Sequence, residues 1–277
     1  MWIYPACAYG EFLQNLIDNN YKINPTDLEN ILKKYPNDDK LILFNNPNNP
    51  TGITHNTQEI KQIASILNKY NTIVLADEIY LNLTHCEKPE SISTFIPHLT
   101  IRGTSVSKDL ACGGYRFGWI TFPKQLNELF QICKSYASSI YSSSCVPIQY
   151  ATAYMLNNKE LFHKTCVDTN IIFKAIINNV CDLIDNSTCK FKFKYVRPNT
   201  SWYIFINFDS YKEELHKKNI LNSYELQDYL MNQFGIITLA GENFNVSGFN
   251  LRFSLVDIDI SKLPNENSYN NILEGFK

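Results

Sequence analysis

The chain has 277 residues, 44% of them hydrophobic, so it can bury a sizeable core in one or two domains. Its formal net charge of −2 gives no electrostatic case for nucleic acid or an anionic membrane, and no apolar run is long enough to span a bilayer. Eight cysteines show no C-x-x-C pair or framework spacing, five histidines lie at no metal-ligand spacing, and Met1-Trp2-Ile3-Tyr4 carries no secretory signal; reduced thiols, a cytoplasmic location and no metal are expected.

In chain order, residues 41–44 (Leu-Ile-Leu-Phe) and 72–77 (Thr-Ile-Val-Leu-Ala-Asp) are short β-rich runs that end in polar residues. That is the pattern of buried parallel strands with a site at their carboxyl ends. Between them Ile60, Ile63, Ala64 and Leu67 form one apolar helical face, which makes a strand–helix–strand unit. Residues 99–103 and 118–122 are two further strands. Residues 139–144, rich in serine and tyrosine, are expected as a loop before a helix near 147–156. Residues 167–180 are apolar in a helical rhythm, with isoleucines at 171, 172, 176 and 177, and bridge to a second part. There the expected order is a strand at 191–196, a strand at 202–208 and a helix with Leu226, Leu230 and Met231 on one side. Strands at 236–239 and 251–255 complete a small α+β domain. The expected division is a large domain over residues 1–160 and a C-terminal domain over 161–277 that includes the connecting helix.

Chemistry concentrates in Ser105-Val106-Ser107-Lys108 and Gly114-Tyr115-Arg116-Phe117-Gly118, which place a lysine and an arginine eight residues apart among hydroxyls and glycines. A neutral lysine amine traps carbonyls as imines, and an arginine beside serine hydroxyls suits a phosphate. The pair suggests a site for a phosphorylated aldehyde, with pyridoxal phosphate the obvious candidate, although S-x-S-K also occurs in β-lactamase-type sites. Upstream, Asn46-Pro47-Asn48-Asn49-Pro50-Thr51-Gly52 and Ala76-Asp77-Glu78-Ile79-Tyr80 each follow a predicted strand. Asn49, Asp77, Tyr80 and Lys108 can therefore converge at one sheet edge.

These segments, in this order and spacing, resemble the class I/II aminotransferases, pyridoxal-phosphate enzymes of the aspartate-aminotransferase fold (fold type I). The resemblance runs from about Pro5 to about Asp259. It implies an α/β fold: a large domain with a mostly parallel sheet flanked by helices, plus a smaller C-terminal α+β domain. It also implies pyridoxal 5′-phosphate as cofactor, an amino acid and a 2-oxo acid as substrates in biosynthetic amino-acid metabolism, and a homodimer. By the same resemblance Lys108 is the imine-forming lysine and proton shuttle, and Asp77 is the carboxylate facing the pyridine nitrogen. Asn49 and Tyr80 resemble the pair that binds the cofactor's phenolic oxygen. Ser105 and Arg116, with Ser107 less directly, resemble phosphate ligands. Tyr9, in Pro5-Ala6-Cys7-Ala8-Tyr9-Gly10, resembles the aromatic that stacks on the pyridine face. Arg252, in Asn250-Leu251-Arg252-Phe253-Ser254-Leu255, resembles the arginine that clamps the substrate α-carboxylate, with Asn49 nearby.

The sequence departs from the family pattern at its start, a few residues before Tyr9. The family's N-terminal region, with a glycine/serine/threonine turn whose helix N-terminus serves the phosphate, has no counterpart in it. The expectation is an N-terminally truncated family member. Two other readings remain at this stage: a decarboxylase or lyase of the same fold, which Lys108 and Asp77 would serve equally, and a non-catalytic remnant.

Overall fold

The computed structural model describes residues 2–3, 19–189 and 192–256. Strand β1 (Trp2–Ile3) is followed by helix α1 (Pro25–Lys33), β2 (Lys40–Asn45), α2 (Thr57–Lys69) and β3 (Thr72–Asp77). Proline at the first turn and the Asn24 side chain, which accepts from the Thr26 and Asp27 amides, start α1. Asn56 and Glu59 form a reciprocal capping box that starts α2. Next come β4 (Thr100–Ser105), the one-turn helix α3 (Val106–Asp109) and β5 (Gly118–Thr121). Among the described residues these strands make one five-stranded sheet in chain order, parallel from β1 to β4, with β5 antiparallel at the edge.

One face of this sheet is closed. Ile42 and Phe44 of β2 and Val74 and Ala76 of β3 pack under Leu28 and Leu32 of α1 and Ile60, Ile63, Ala64 and Leu67 of α2. The four α2 residues are those whose spacing predicts the helix. Burial alternates along β2 and β3, so the opposite face is only half covered, in contrast to the fully buried strands expected from the apolar runs.

Helices α4 (Asn127–Tyr141), α5 (Val146–Asn157) and α6 (Lys159–Asp185) follow. The loop expected over 139–144 is therefore helical as far as Tyr141. Ser135 and Ser139 donate their hydroxyls to the carbonyls of Gln131 and Ser135, each at 3.0 Å, so serine does not break the helix here. Helix α6 is longer than the apolar stretch that predicts it. Its buried Ile177 and Cys181 meet Ile204 and Ile206 of the second sheet.

That sheet contains β6 (Lys194–Tyr195), β7 (Tyr203–Asn207), β8 (Leu239–Ala240) and β9 (Asn250–Ser254), all antiparallel, in the order β6-β7-β9-β8. The strands expected at 191–196 and 236–239 are thus reduced to two-residue pairings, with Phe191 outside the described residues. Helices α7 (Lys212–Lys217) and α8 (Ser223–Phe234) pack Leu215 and Leu226 against Phe249 and Leu251. Helices α1 and α7 have no counterpart in the sequence expectations: α7 has only Leu215 to show a period, whereas the i, i+3, i+4 spacing of Leu28, Ile31 and Leu32 in α1 is a helical signal that those expectations miss.

The loop after β2 joins the two sheets. The Gly52 carbonyl accepts the amides of Asn199 at 2.9 Å and Thr200 at 3.1 Å, and Thr54 N–H donates to Asn199 Oδ1 at 3.0 Å. His55 braces the same loop: its Nε2 accepts from Ile23 N–H at 3.0 Å, which leaves Nδ1 to donate to Asn46 Oδ1 at 3.1 Å. Burial pushes the His55 imidazole down to about 4. Gly52 has φ +67°, and a β-carbon there would lie 2.7 Å from the Tyr203 carbonyl oxygen and 2.8 Å from Pro198 Cβ. Gly52→Ala should therefore destabilise by at least about 1–3 kcal/mol in urea unfolding. Gly235→Ala, at φ +69° with nothing within 4 Å, isolates the backbone cost alone and should lose only about 1 kcal/mol.

Candidate functional site

Because β3 and β4 are adjacent and parallel, their last residues, Asp77 and Ser105, reach the same rim of the sheet. From that rim the chain turns through Tyr80 on one side and enters α3 on the other. The Ser105 hydroxyl caps α3, accepting the Ser107 amide at 3.1 Å, and is left with a hydrogen to donate. Gly118 stands opposite Ser105, where a β-carbon would lie 2.9 Å from the Thr104 carbonyl oxygen and 3.0 Å from Ser105 Cβ. Only glycine lets β5 approach so closely.

Helix α3 carries Lys108. Its Nζ lies 5.7 Å from the ring centroid of Tyr80 and 5.3 Å from that of Trp202. A cation over two aromatic faces is held by their quadrupoles, an attraction of about 0.5–2 kcal/mol per ring. Tyr80 is buried, and its hydroxyl lies 2.8 Å from that of Tyr203. Burial first, then the second phenol beside it, holds Tyr80 far above the usual phenol range.

The line of contacts continues. The Arg252 guanidinium sits 4.5 Å above the Tyr203 ring centroid and 5.3 Å from that of Phe244, and its Nη1 donates to Asn49 Oδ1 at 2.8 Å. Its Nε is buried and has no partner. Burial lowers the pKa of Arg252, but a guanidinium starts so high that it stays charged. A half-buried cation with an unused donor is set to receive an anion.

Asp77 faces the half-covered side of the sheet. With Ile79, Ser105, Trp119 and Tyr141 it lines an open cleft of about 550 Å³ between the sheet and α4. Burial raises its pKa, and the Ile79 amide, donating to Oδ1 at 3.3 Å, works against that rise. The carboxylate lacks a cation to balance it within the described residues, so a protonated ligand nitrogen would suit it.

The fold thus joins Asn49, Tyr80, Lys108 and Arg252 in one connected set, with Asp77 and Ser105 at the rim beside it. Asn49 and Tyr80 do not bond to each other; Asn49 holds Arg252 and Tyr80 holds Tyr203. Ser107 lies on α3 next to Lys108. Arg116 is exposed, in left-handed backbone at φ 54°, and donates Nη1 to the Gly113 carbonyl at 2.9 Å, so it stands apart from the set. Tyr9 lies outside the described residues. Sequence reasoning missed Trp202, Tyr203 and Phe244. The first two stand at the head of a predicted strand, where an aromatic reads as core, and only the packing of β7 against the Tyr80 loop gives them a role.

The family model described as aminotransferase class I and II matches residues 9–264. The chain belongs to that family. Among its aminotransferase relatives, a probable aspartate aminotransferase of Methanocaldococcus jannaschii is 30% identical over 254 residues, covering 89% of this chain and 61% of the relative. A probable N-acetyl-LL-diaminopimelate aminotransferase of Bacillus subtilis is 24% identical over 242 residues, covering 87% and 56%. An aspartate aminotransferase double mutant of Thermus thermophilus shares the fold with a TM-score of 0.77 at 18% identity, covering 91% of this chain and 64% of that one. A PLP-bound C-S lyase from Staphylococcus hominis shares it with a TM-score of 0.71 at 18% identity, covering 92% and 65%. The chain therefore spans little more than half the length of the curated relatives it matches.

The phenol pair can be tested without any ligand. Tyr80→Phe and Tyr203→Phe each leave a buried hydroxyl unpaired and should destabilise by about 1–2 kcal/mol. The double variant should lose clearly less than the sum, as a denaturation double-mutant cycle would show.

Proposed function

We propose that this chain carries the lysine, ring-nitrogen and substrate-carboxylate parts of a pyridoxal-phosphate-dependent aminotransferase, which moves an amino group from an amino acid to a 2-oxo acid. The observation that carries the proposal is the continuous set from Lys108 through Tyr80 and Tyr203 to Arg252 and Asn49, assembled from both sheets. The residues suit the cofactor and its substrate: a carboxylate without a cation at Asp77 and a lysine beside a buried phenol for the first, and a guanidinium whose Nε is unused for the second.

Pyridoxal phosphate, when bound, supplies an aldehyde that condenses with amines and a cationic ring that accepts the electron pair left at Cα. In this reading Asp77 holds the proton on the ring nitrogen, since a nearby carboxylate favours the charged form. Tyr80 and Asn49 orient the ring through its phenolic oxygen. Ser105 and Ser107, at the start of α3, donate to the phosphate, and Arg116 adds charge if its turn swings inward. Arg252 binds the substrate α-carboxylate, orienting Cα, and Lys108 Nζ moves the proton at that carbon.

The same reading divides the chain into a larger domain over residues 1–160 and a smaller one over 161–277, with the boundary near the start of α6. It also assigns a cytoplasmic homodimer. The seven described cysteines are all free, and no helix among the described residues is long and apolar enough to cross a membrane.

Borohydride reduction of protein mixed with pyridoxal 5′-phosphate should fix a pyridoxyl group on Lys108, located by peptide mass spectrometry, and Lys108→Ala should abolish transamination. Label confined to other lysines would reject the assignment. Arg252→Lys should raise KM for amino acids about thirtyfold or more, because a lost charge-assisted pair costs about 2–5 kcal/mol. Its visible absorbance with cofactor should not change, and an unaltered KM would return Arg252 to a packing role.

A further inference from the structure

From the anchoring of α3 we infer that Asp109 is a positioning residue for Lys108: through Asn82 it locks the one-turn helix carrying the lysine to the loop carrying Tyr80. The inference rests on the role given to Lys108 above. A single helical turn has too few hydrogen bonds to hold itself, so its direction is set by its anchors. The first anchors are the Ser105 cap and the buried Val106. The last is Asp109, 6% exposed, whose Oδ2 accepts Asn82 Nδ2 at 2.6 Å.

Asn82 is itself fixed from two other sides. Its Oδ1 accepts Lys88 Nζ at 2.6 Å, and its carbonyl accepts Asn170 Nδ2 of α6 at 2.8 Å. It lies two residues beyond Tyr80. Successive side chains on a helix point about 100° apart, so holding Asp109 inward leaves Lys108 directed at Tyr80 and Trp202. Asp109 Oδ1 is buried without a partner, and Asp109 lines a cavity of about 200 Å³ with Glu78, Arg102 and Leu156. Burial pushes the Asp109 carboxyl up to about 6. Glu78 is engaged by Arg102 and by Ser91, so it does not compete for Asn82. A carboxyl group in so costly a place is accounted for by the hydrogen bond it supplies to Asn82.

The test uses the full 277-residue chain with pyridoxal 5′-phosphate as probe. Asp109→Ala and Asn82→Ala should each weaken cofactor binding about tenfold, by lowering the fraction of chains with Lys108 in place. Each should also spread borohydride-fixed label from Lys108 onto other lysines, and the double variant should be no worse than either single one. Asp109→Asn keeps an acceptor for Asn82 Nδ2 and should restore binding to within about threefold of the parent. Parent-like binding and labelling in either alanine variant overturns the inference, as does a loss in Asp109→Asn equal to that in Asp109→Ala. If Asp109→Ala does not fold, Asn82→Ala and Asp109→Asn decide by the same criteria. If the parent chain takes up no cofactor, the role given to Lys108 fails, and positioning is read from cofactor-free acetylation. In that arm the rate at Lys108 relative to the other lysines should shift at least about threefold in Asn82→Ala; an unchanged rate overturns the inference.

Discussion

The placement of Arg252 is the constraint on which the rest of the site depends. Its guanidinium leaves β9 of the small sheet, lies over the Tyr203 ring of β7 and reaches Asn49 in the loop after β2 of the large sheet. A half-buried charge is held in place by the donors and π-face that are engaged, and each missing partner, such as that of Nε, costs about 1–3 kcal/mol. The two sheets must therefore meet in one register, or the charge is stranded. The Tyr80–Tyr203 hydroxyl pair repeats the requirement with neutral groups a few ångströms away.

The loop 46–55 meets that requirement by adding a set of side-chain hydrogen bonds to its few backbone ones. Asn45 Oδ1 accepts the Asn49 amide at 2.9 Å, Asn48 Oδ1 accepts the Thr51 hydroxyl at 2.8 Å, and Asn46 Oδ1 accepts the His55 amide at 2.9 Å. Short amides that bond their own backbone fix a loop that no regular ladder could hold. Gly52 then lets the strand of the second sheet come within contact distance. Rigidity here is what keeps Asn49 facing Arg252 rather than solvent.

Around the rim two charged groups are left unbalanced. Asp77 sits where burial disfavours its charge, and Arg252 keeps a buried N–H unused. Beside them Glu78 is matched by Arg102 and Ser91, and farther off Lys40 by the carbonyls of Tyr35 and Asp38, although Glu242 Oε2 is also buried without a partner. Charges left unmatched around one rim are costly to folding, and a ligand of opposite charge relieves that cost. The unmatched Asp77 and Arg252, on adjoining elements, support reading the rim as a binding site on physical grounds, separately from family membership.

The sequence by itself determined much of this. The apolar runs at β2 and β3, the helical period of α2 and the polar residues closing each strand placed Asp77, Tyr80 and Lys108 at one sheet edge. Those signals are local, because strand and helix periodicity need only neighbours along the chain. The extent of α4 was not legible, since Ser135 and Ser139 satisfy their hydroxyls on the preceding turn and so look like loop residues in a string of letters. The strands at β6 and β8 were legible but not their shortness, because β7 and β9 offer them only a two-residue edge. Only the tertiary structure decided that Asn49 would hold Arg252 directly, that Trp202 would join Tyr80 beside the lysine, and that Asp109 would turn inward to Asn82. Each of these contacts joins segments whose separation in sequence carries no periodic signal. Their energy comes from desolvation and hydrogen-bond geometry, which exist only once the two sheets have closed on each other.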